Sequence, residues 1–379
     1  MPDSFRFFSS NKFDERTLDI ELLKSEVGQR FPFYEVKEAL TSVAFYCRID
    51  QDRLEDNFDS LRRSLNEKGY IPMLRFEKGE HIIYVVMKPL QKHRSVWVNI
   101  SLMVATVVTA TLTGSLLHLG FFDLWSLENM MDVLVAENLI FGFGLFAFPL
   151  LSILFVHEMG HYYISRHHGI AASLPFFMPI PPIVPNFNIG TFGALISSHD
   201  PMPNKKALFD VGIAGPLAGF LVAVPVTVIG IALSDTVPMS SIASREPILG
   251  TSLLFLFISN VVMGIPEGYG LDLSLVAFAG WVGLLITSIN LLPAGQLDGG
   301  HIFRAFLGKS QRFAGWIAVF VMIFTGWIFF AFIIIFLMGM LHPPPLNDAT
   351  PLDMKRKILF FVAVLILIVC YIPYPIYIA

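Results

Sequence analysis

Of the 379 residues, 54% are hydrophobic and only 15% are charged, against about 25% charged in ordinary soluble domains, and the mean hydropathy is +0.64. A formal net charge of −4 leaves no basic footprint and excludes nucleic acid as a partner, while two cysteines, Cys47 and Cys370, make neither a disulfide framework nor a zinc-finger pattern. The composition predicts a polytopic α-helical membrane protein in contact with the lipid bilayer. The pattern along the chain divides it into a small α+β N-terminal soluble domain (residues 1–92) and a transmembrane domain (93–379) of about six transmembrane helices, with a membrane-associated β-hairpin or re-entrant segment.

The opening MPDSFRFFSSNKFDER has no apolar core of a signal peptide, so the N-terminal domain is expected to stay cytoplasmic. A helix is predicted from Thr17 to about Arg30, a strand at Ser42–Cys47, and a helix over Asp52–Lys68 with Leu54, Phe58, Leu61 and Leu65 on one face. YIPMLRF and HIIYVVM flank Lys78-Gly79-Glu80 as a hairpin. No ligand cluster lies here, so the module reads as an appendage that binds a regulator or gates the membrane part.

Seven apolar blocks follow Arg94: Val96–Leu119, Asn138–Ile164, Ala207–Leu233, Ile248–Ile265, Leu273–Leu297, Phe313–Leu341 and Ile358–Ile378. Lys92 and Arg94, Arg166, Lys205 and Lys206, and Arg304, Lys309 and Arg312 mark cytoplasmic loops; Phe121–Glu137, with four acids and no Lys or Arg, belongs outside. Six crossings keep these loops inside if Ile248–Ile265 is re-entrant or interfacial. That count leaves Lys355-Arg356-Lys357 on the outer side, against the rule. Trp97, Trp125 and Trp327 fall near the expected boundaries.

Within the second block stands His157-Glu158-Met159-Gly160-His161, in a stretch with no charged residue from Asn138 to Val156. Residues four apart on a helix share a face, so both imidazoles can reach one Zn²⁺ with the carboxylate beside its open position. After it, Ser173–Asn204 holds Pro175, Pro179, Pro181, Pro182 and Pro185, which rule out a regular helix, and then a β-like run Gly190–Ser197. An edge formed by Gly190, Thr191, Phe192 and Gly193 is the candidate substrate-binding strand; a plain surface loop is the alternative. Gly212, Gly215 and Gly219 are spaced for close helix packing against the second block. His167 and His168 read as interfacial, and His199 and His342 as solvated loop histidines.

Asp298 closes an apolar run from Leu273 that has no other charge, and an ionised carboxylate there requires a counter-charge, most simply a metal. With no Glu between Glu158 and Glu246, Asp298 is the leading third ligand; the other reading makes Asp298-Gly299-Gly300 a helix-terminating turn. A membrane metal or ion transporter and a non-catalytic zinc-binding receptor also explain intramembrane polar residues. The transporter reading does not explain a Glu immediately after the first histidine.

HEMGH, LLPAGQLDGGH and KKALFDVGIAGPLAGF together resemble the site-2 protease family of intramembrane zinc metalloproteases, in particular its archaeal members and the plant-plastid ethylene-dependent gravitropism-deficient and yellow-green branch. The resemblance covers most of residues 42–310 and is weaker for the last two spans. It implies one zinc per chain on His157, His161 and Asp298, Glu158 as the base, Asn290 near the reacting carbonyl, and transmembrane proteins as substrates. It places the chain in the cell membrane of a prokaryote, archaeal in character, or in a plastid membrane. Family members often carry Arg after Asp-Gly-Gly; here His301 stands there, and as a fourth ligand it would close the water site.

Overall fold

The computed structural model describes residues 18–89, 95–120, 131–182, 189–197, 200–243, 248–340 and 342–377. Lys92, Arg94, the 121–130 part of the acidic loop with Trp125, Pro185 and His199 lie outside the described residues.

The N-terminal module contains helix α1 (Ile20–Gly28), strands β1 (Phe33–Ala39) and β2 (Ser42–Cys47), helix α2 (Leu54–Glu67) and strands β3 (Tyr70–Glu77) and β4 (Glu80–Met87). The strands form an antiparallel sheet in the order β1-β2-β4-β3. Leu54, Phe58, Leu61 and Leu65 of α2 are all buried, as their spacing requires. Lys78 (φ 52°) and Gly79 (φ 86°) turn β3 into β4, the paired positive φ values of a hairpin whose twist matches its strands. Strand β1 was not foreseen. Below the sheet, the Lys68 ammonium, aided by the Ser64 hydroxyl and Arg30, holds the Glu26 carboxyl down at about 2.

Three helices among the described residues are long and apolar enough to cross a bilayer: α3 (Val96–His118), α4 (Ala136–His167) and α5 (Lys205–Ala232). Gly114 and Gly142 let α3 and α4 cross backbone to backbone, since a Cβ on Gly114 would stand 2.3 Å from the Gly142 carbonyl oxygen. Helix α4 passes through one π turn at Phe143–Ala147, just before Pro149, which has no N–H to donate. Between α4 and α5, β5 (Phe176–Pro179) and β6 (Thr191–Leu195) form a two-stranded antiparallel ribbon. It is seated on α3, where Asn99 Nδ2 donates to the Leu174 carbonyl at 2.6 Å and Thr109 Oγ1 to that of Gly190 at 2.7 Å.

After α5 come β7 (Asp235–Pro238), β8 (Ile248–Leu249), α6 (Leu253–Met263), β9 (Tyr269–Asp272), α7 (Leu275–Asn290), α8 (Asp298–Leu307), α9 (Gln311–Phe324), α10 (Ile328–Ile333, extended by a π turn to Met338), α11 (Met354–Cys370) and β10 (Ile376–Tyr377). The eleven residues of α6 reach about 16 Å, half of a ~30 Å hydrocarbon core. Both flanks of α6 are tied to one end of the bundle, β9 to β7 just past α5 and β8 to β10 just past α11.

Two blocks differ from the sequence expectation. Leu273–Leu297 is not one helix: α7 stops at Asn290, a looped stretch follows, and Asp298 starts α8 rather than terminating a helix. Phe313–Leu341 is a helical hairpin, α9 and α10 turning at Thr325-Gly326-Trp327, with Gly326 at φ 82°. The turn is fastened to the end of α11, where Tyr374 donates through its hydroxyl to Phe324 (2.7 Å) and Trp327 Nε1 to the Ile372 carbonyl (2.9 Å).

The start of α11 lies at the other end, beside the module. Arg356 Nε donates to Asp210 of α5 at 2.7 Å, Lys206 pairs with Glu55 of α2 at 2.7 Å, and Arg304 pairs with Asp348 at 2.7 Å. Lys355-Arg356-Lys357 therefore shares one end of the bundle with Arg166, Lys205, Lys206 and Arg304.

Candidate metal centre

Helix α4 carries His157, Glu158 and His161, all buried. One turn separates the two imidazoles, so their Nε2 atoms lie 3.2 Å apart. Asp298, the first residue of α8, brings Oδ2 to 3.3 Å from His157 Nε2 and 3.2 Å from His161 Nε2. Among the described residues these three form a cluster able to hold a metal ion. The triangle they make has edges that fit zinc, because tetrahedral ligands at ~2.0–2.1 Å stand about 3.3–3.4 Å from each other. Two neutral imidazoles with two carboxylates would also balance a divalent cation in charge.

The break after α7 puts Asp298 at this depth, and the loop that makes the break is anchored by Gln311 Nε2 donating to the Pro293 carbonyl at 2.9 Å. His161 is oriented from behind, its Nδ1 meeting the Val211 carbonyl of α5 at 2.8 Å, the kind of outer contact that fixes the tautomer of a metal-binding histidine. Asn290, the last residue of α7, has its amide 3.4 Å from His157 Nε2.

Helix α5 supplies the wall. A Cβ on Gly215 would lie 2.0 Å from His161 Nε2, and one on Gly219 3.1 Å from His157 Cβ. Gly215 and Gly219 therefore do pack α5 on α4, directly over His157 and His161, a closeness the spacing alone did not give; Gly212 instead faces α8, where a Cβ would stand 2.7 Å from His301 Cβ.

The four expected strand residues are disposed unequally. Gly190 is pressed on α3, where a Cβ would stand 2.5 Å from Ala110 Cα. Thr191 is buried, its hydroxyl donating to Met178 and accepting from the Gly193 N–H at 3.0 Å. Phe192 is 76% exposed, and β6 has a partner strand on one side. His168 pairs with Asp210 at 2.9 Å and is not part of the metal cluster. His342 departs from expectation: it is buried, its ring edge-on to His301 with centroids 4.3 Å apart. Neither His301 nor His342 belongs to the cluster.

Fold and site together define a helical membrane protein built around a two-histidine, one-carboxylate metal centre. Residues 145–333 match peptidase family M50, and the chain belongs to that family. Among its relatives are the "Probable zinc metalloprotease EGY1, chloroplastic" of Oryza sativa subsp. japonica, 28% identical over 240 residues (60% of this chain, 40% of the relative). The "Probable zinc metalloprotease EGY2, chloroplastic" of Arabidopsis thaliana is 32% identical over 232 residues (59% and 40%). The chain spans about two-fifths of the length of these curated relatives. No solved structure matches it.

The close wall gives a direct test. Gly215→Ala should lower zinc affinity roughly tenfold or more by pushing His161 off its donor position, whereas Gly144→Ala, where a Cβ meets nothing within 4 Å, should bind zinc normally. Equal zinc affinities in competition with a chelator would show that α5 does not set the ligand geometry.

Proposed function

We propose that the chain is an intramembrane zinc metalloendopeptidase that cleaves peptide bonds of transmembrane proteins. The observation that carries this reading is the near-equilateral triangle of His157, His161 and Asp298 donors with the Glu158 carboxylate on the residue next to one of them, buried in an apolar bundle. Zinc at this site would supply Lewis acidity, lowering the pKa of water to about 7 and polarising a carbonyl.

Glu158 takes the proton of the attacking water as the new C–O bond forms and delivers it to the leaving nitrogen as the C–N bond breaks. Asn290 donates to the oxygen on which negative charge develops, a contribution of about 3 kcal/mol by analogy with other oxyanion donors. A transporter would need no base beside its ligand, and that adjacency favours hydrolysis. Glu158→Gln should keep its zinc and lose about 10²–10⁴-fold in cleavage of a transmembrane substrate. Full cleavage by this variant would overturn the assignment.

The substrate is proposed to unwind and lie along the β6 edge, since a peptide bond inside an intact helix is shielded by its own hydrogen bonds. Gly190 and Thr191 then seat the ribbon, and the outward Phe192 with Gly193 meets the substrate. Phe192→Ala should raise KM several-fold without altering zinc content. An unchanged KM would mean that substrate is gripped elsewhere.

The topology proposed is seven passes: α3, α4, α5, the interrupted α7–α8, α9, α10 and α11, with α6 re-entering from the outer side. Helix α10 is no longer than α6, but it runs from the turn fastened to the end of α11 back to Met340 beside Gly315 near the start of α9, whereas both flanks of α6 stay at one end. All the Lys and Arg clusters then lie with the N-terminal module on the cytoplasmic face. Single cysteines placed at positions 309 and 355 should both resist an impermeant reagent applied outside intact cells. Labelling of 355 alone would restore the six-span arrangement.

A further inference from the structure

Helix α8 has an exacting task and weak local support. It begins on the metal ligand Asp298, and its N-cap, Leu297, offers no side-chain hydrogen bond to the first turn. What holds α8 further along is Arg304, six residues or about 9 Å down the helix axis. Arg304 is buried and grips Asp348 with both terminal nitrogens, Nη1 to Oδ1 at 3.2 Å and Nη2 to Oδ2 at 2.7 Å. A two-pronged guanidinium–carboxylate contact fixes orientation as well as distance.

Asp348 belongs to the segment 342–350, which joins α10 to α11 and does not rest on the membrane bundle alone. Leu346 is buried in the hydrophobic core of the N-terminal module. Its carbonyl accepts from the Leu74 N–H of β3 at 2.8 Å, and its own N–H donates to Met202 just ahead of α5. Asn347 extends this path as a bridge between Leu74 and Asn204, the residue that caps α5. Pro343, Pro344 and Pro345 stiffen the approach.

The module's hold on this segment is Arg75. It is 6% exposed, and its Nη1 donates to the carbonyls of Leu74, Pro345 and Leu346 at 2.8–2.9 Å. Its Nε and Nη2 are buried with no hydrogen-bond partner among the described residues. A guanidinium left half satisfied is a poor way to stabilise a core, where an apolar side chain of similar size would do better. Its contribution lies in what Nη1 grasps.

We infer that residues 342–350 are a tie by which the N-terminal module holds the metal-ligand helix in place, with Arg75 and Arg304 as positioning residues for Asp298. The inference rests on reading the centre as a zinc site and assigns the module a role in setting metal affinity. A partner that loosens the module's grip on the segment would thereby weaken the centre without touching it.

The test uses the full-length protein in detergent, with zinc affinity measured by chelator competition and geometry by the visible absorption of the cobalt-substituted form. Arg75→Met and Asp348→Asn should each weaken zinc about tenfold and shift the cobalt bands. The double variant should be no worse than the more severe single one, because both cut the same tie. Arg304→Lys, which keeps the charge and loses the fork, should fall between wild type and Asp348→Asn. Arg30→Met, which breaks the Glu26 pair inside the module at 2.8 Å, should bind zinc normally. Zinc affinities within twofold of wild type for Arg75→Met and Asp348→Asn, or an equal loss in Arg30→Met, would overturn the tie. Because metal binding is read directly, the result stands apart from whether the chain cleaves peptides.

Discussion

Two imidazoles and the Glu158 carboxylate are buried, and the Asp298 carboxylate half-buried, at one point of an apolar bundle, and the architecture around them follows from the need to make that placement tolerable. Ionised carboxylates in such surroundings cost several kcal/mol each unless a counter-charge compensates them. The meeting of His157, His161 and Asp298 donors at 3.2–3.3 Å supplies a place for a divalent cation. The long α4 delivers two donors from a single turn, so the third has to come from elsewhere in the chain, at the same depth.

That depth is reached by interrupting a helix. The seven residues Leu291–Leu297 leave helical geometry between α7 and α8, and backbone out of a helix in such a place must find partners within the protein. It finds them: Ala294 N–H donates to Leu292 at 2.8 Å, Leu297 N–H to Ala294 at 3.2 Å, and the Pro293 carbonyl accepts from Gln311. On the other side of the donors, α5 comes so near that glycine is the residue that fits at 215. The ribbon β5–β6 is likewise irregular backbone made acceptable by contact with α3 through Asn99 and Thr109.

The meeting of His157, His161 and Asp298 was legible in the sequence because its signals are local or chemical. Histidines four apart share a helix face whatever the rest of the fold, and Asp298 stands out as a lone charge closing an apolar run. The hairpin α9–α10 was not legible, because hydropathy reports apolar length without direction and one glycine, Gly326, marks the reversal. Strand β1 was missed because FYEVKEA is mostly exposed and carries Glu, Lys and Ala, residues poor in strands. His342 was read as solvated since its burial depends on His301, 41 positions earlier in the chain. The tie through Asp348 escapes the sequence for the same reason: Arg75, Arg304 and Asp348 become neighbours only once three separate segments have packed.

Zinc K-edge X-ray absorption on the purified Glu158→Gln protein tests the central claim most directly. The account predicts a four-coordinate first shell of nitrogen and oxygen scatterers at about 2.0–2.1 Å with the outer-shell signature of two imidazoles, reduced to fewer imidazoles by His161→Ala. A shell containing sulfur, a six-coordinate oxygen shell, or a protein that retains no zinc would contradict it.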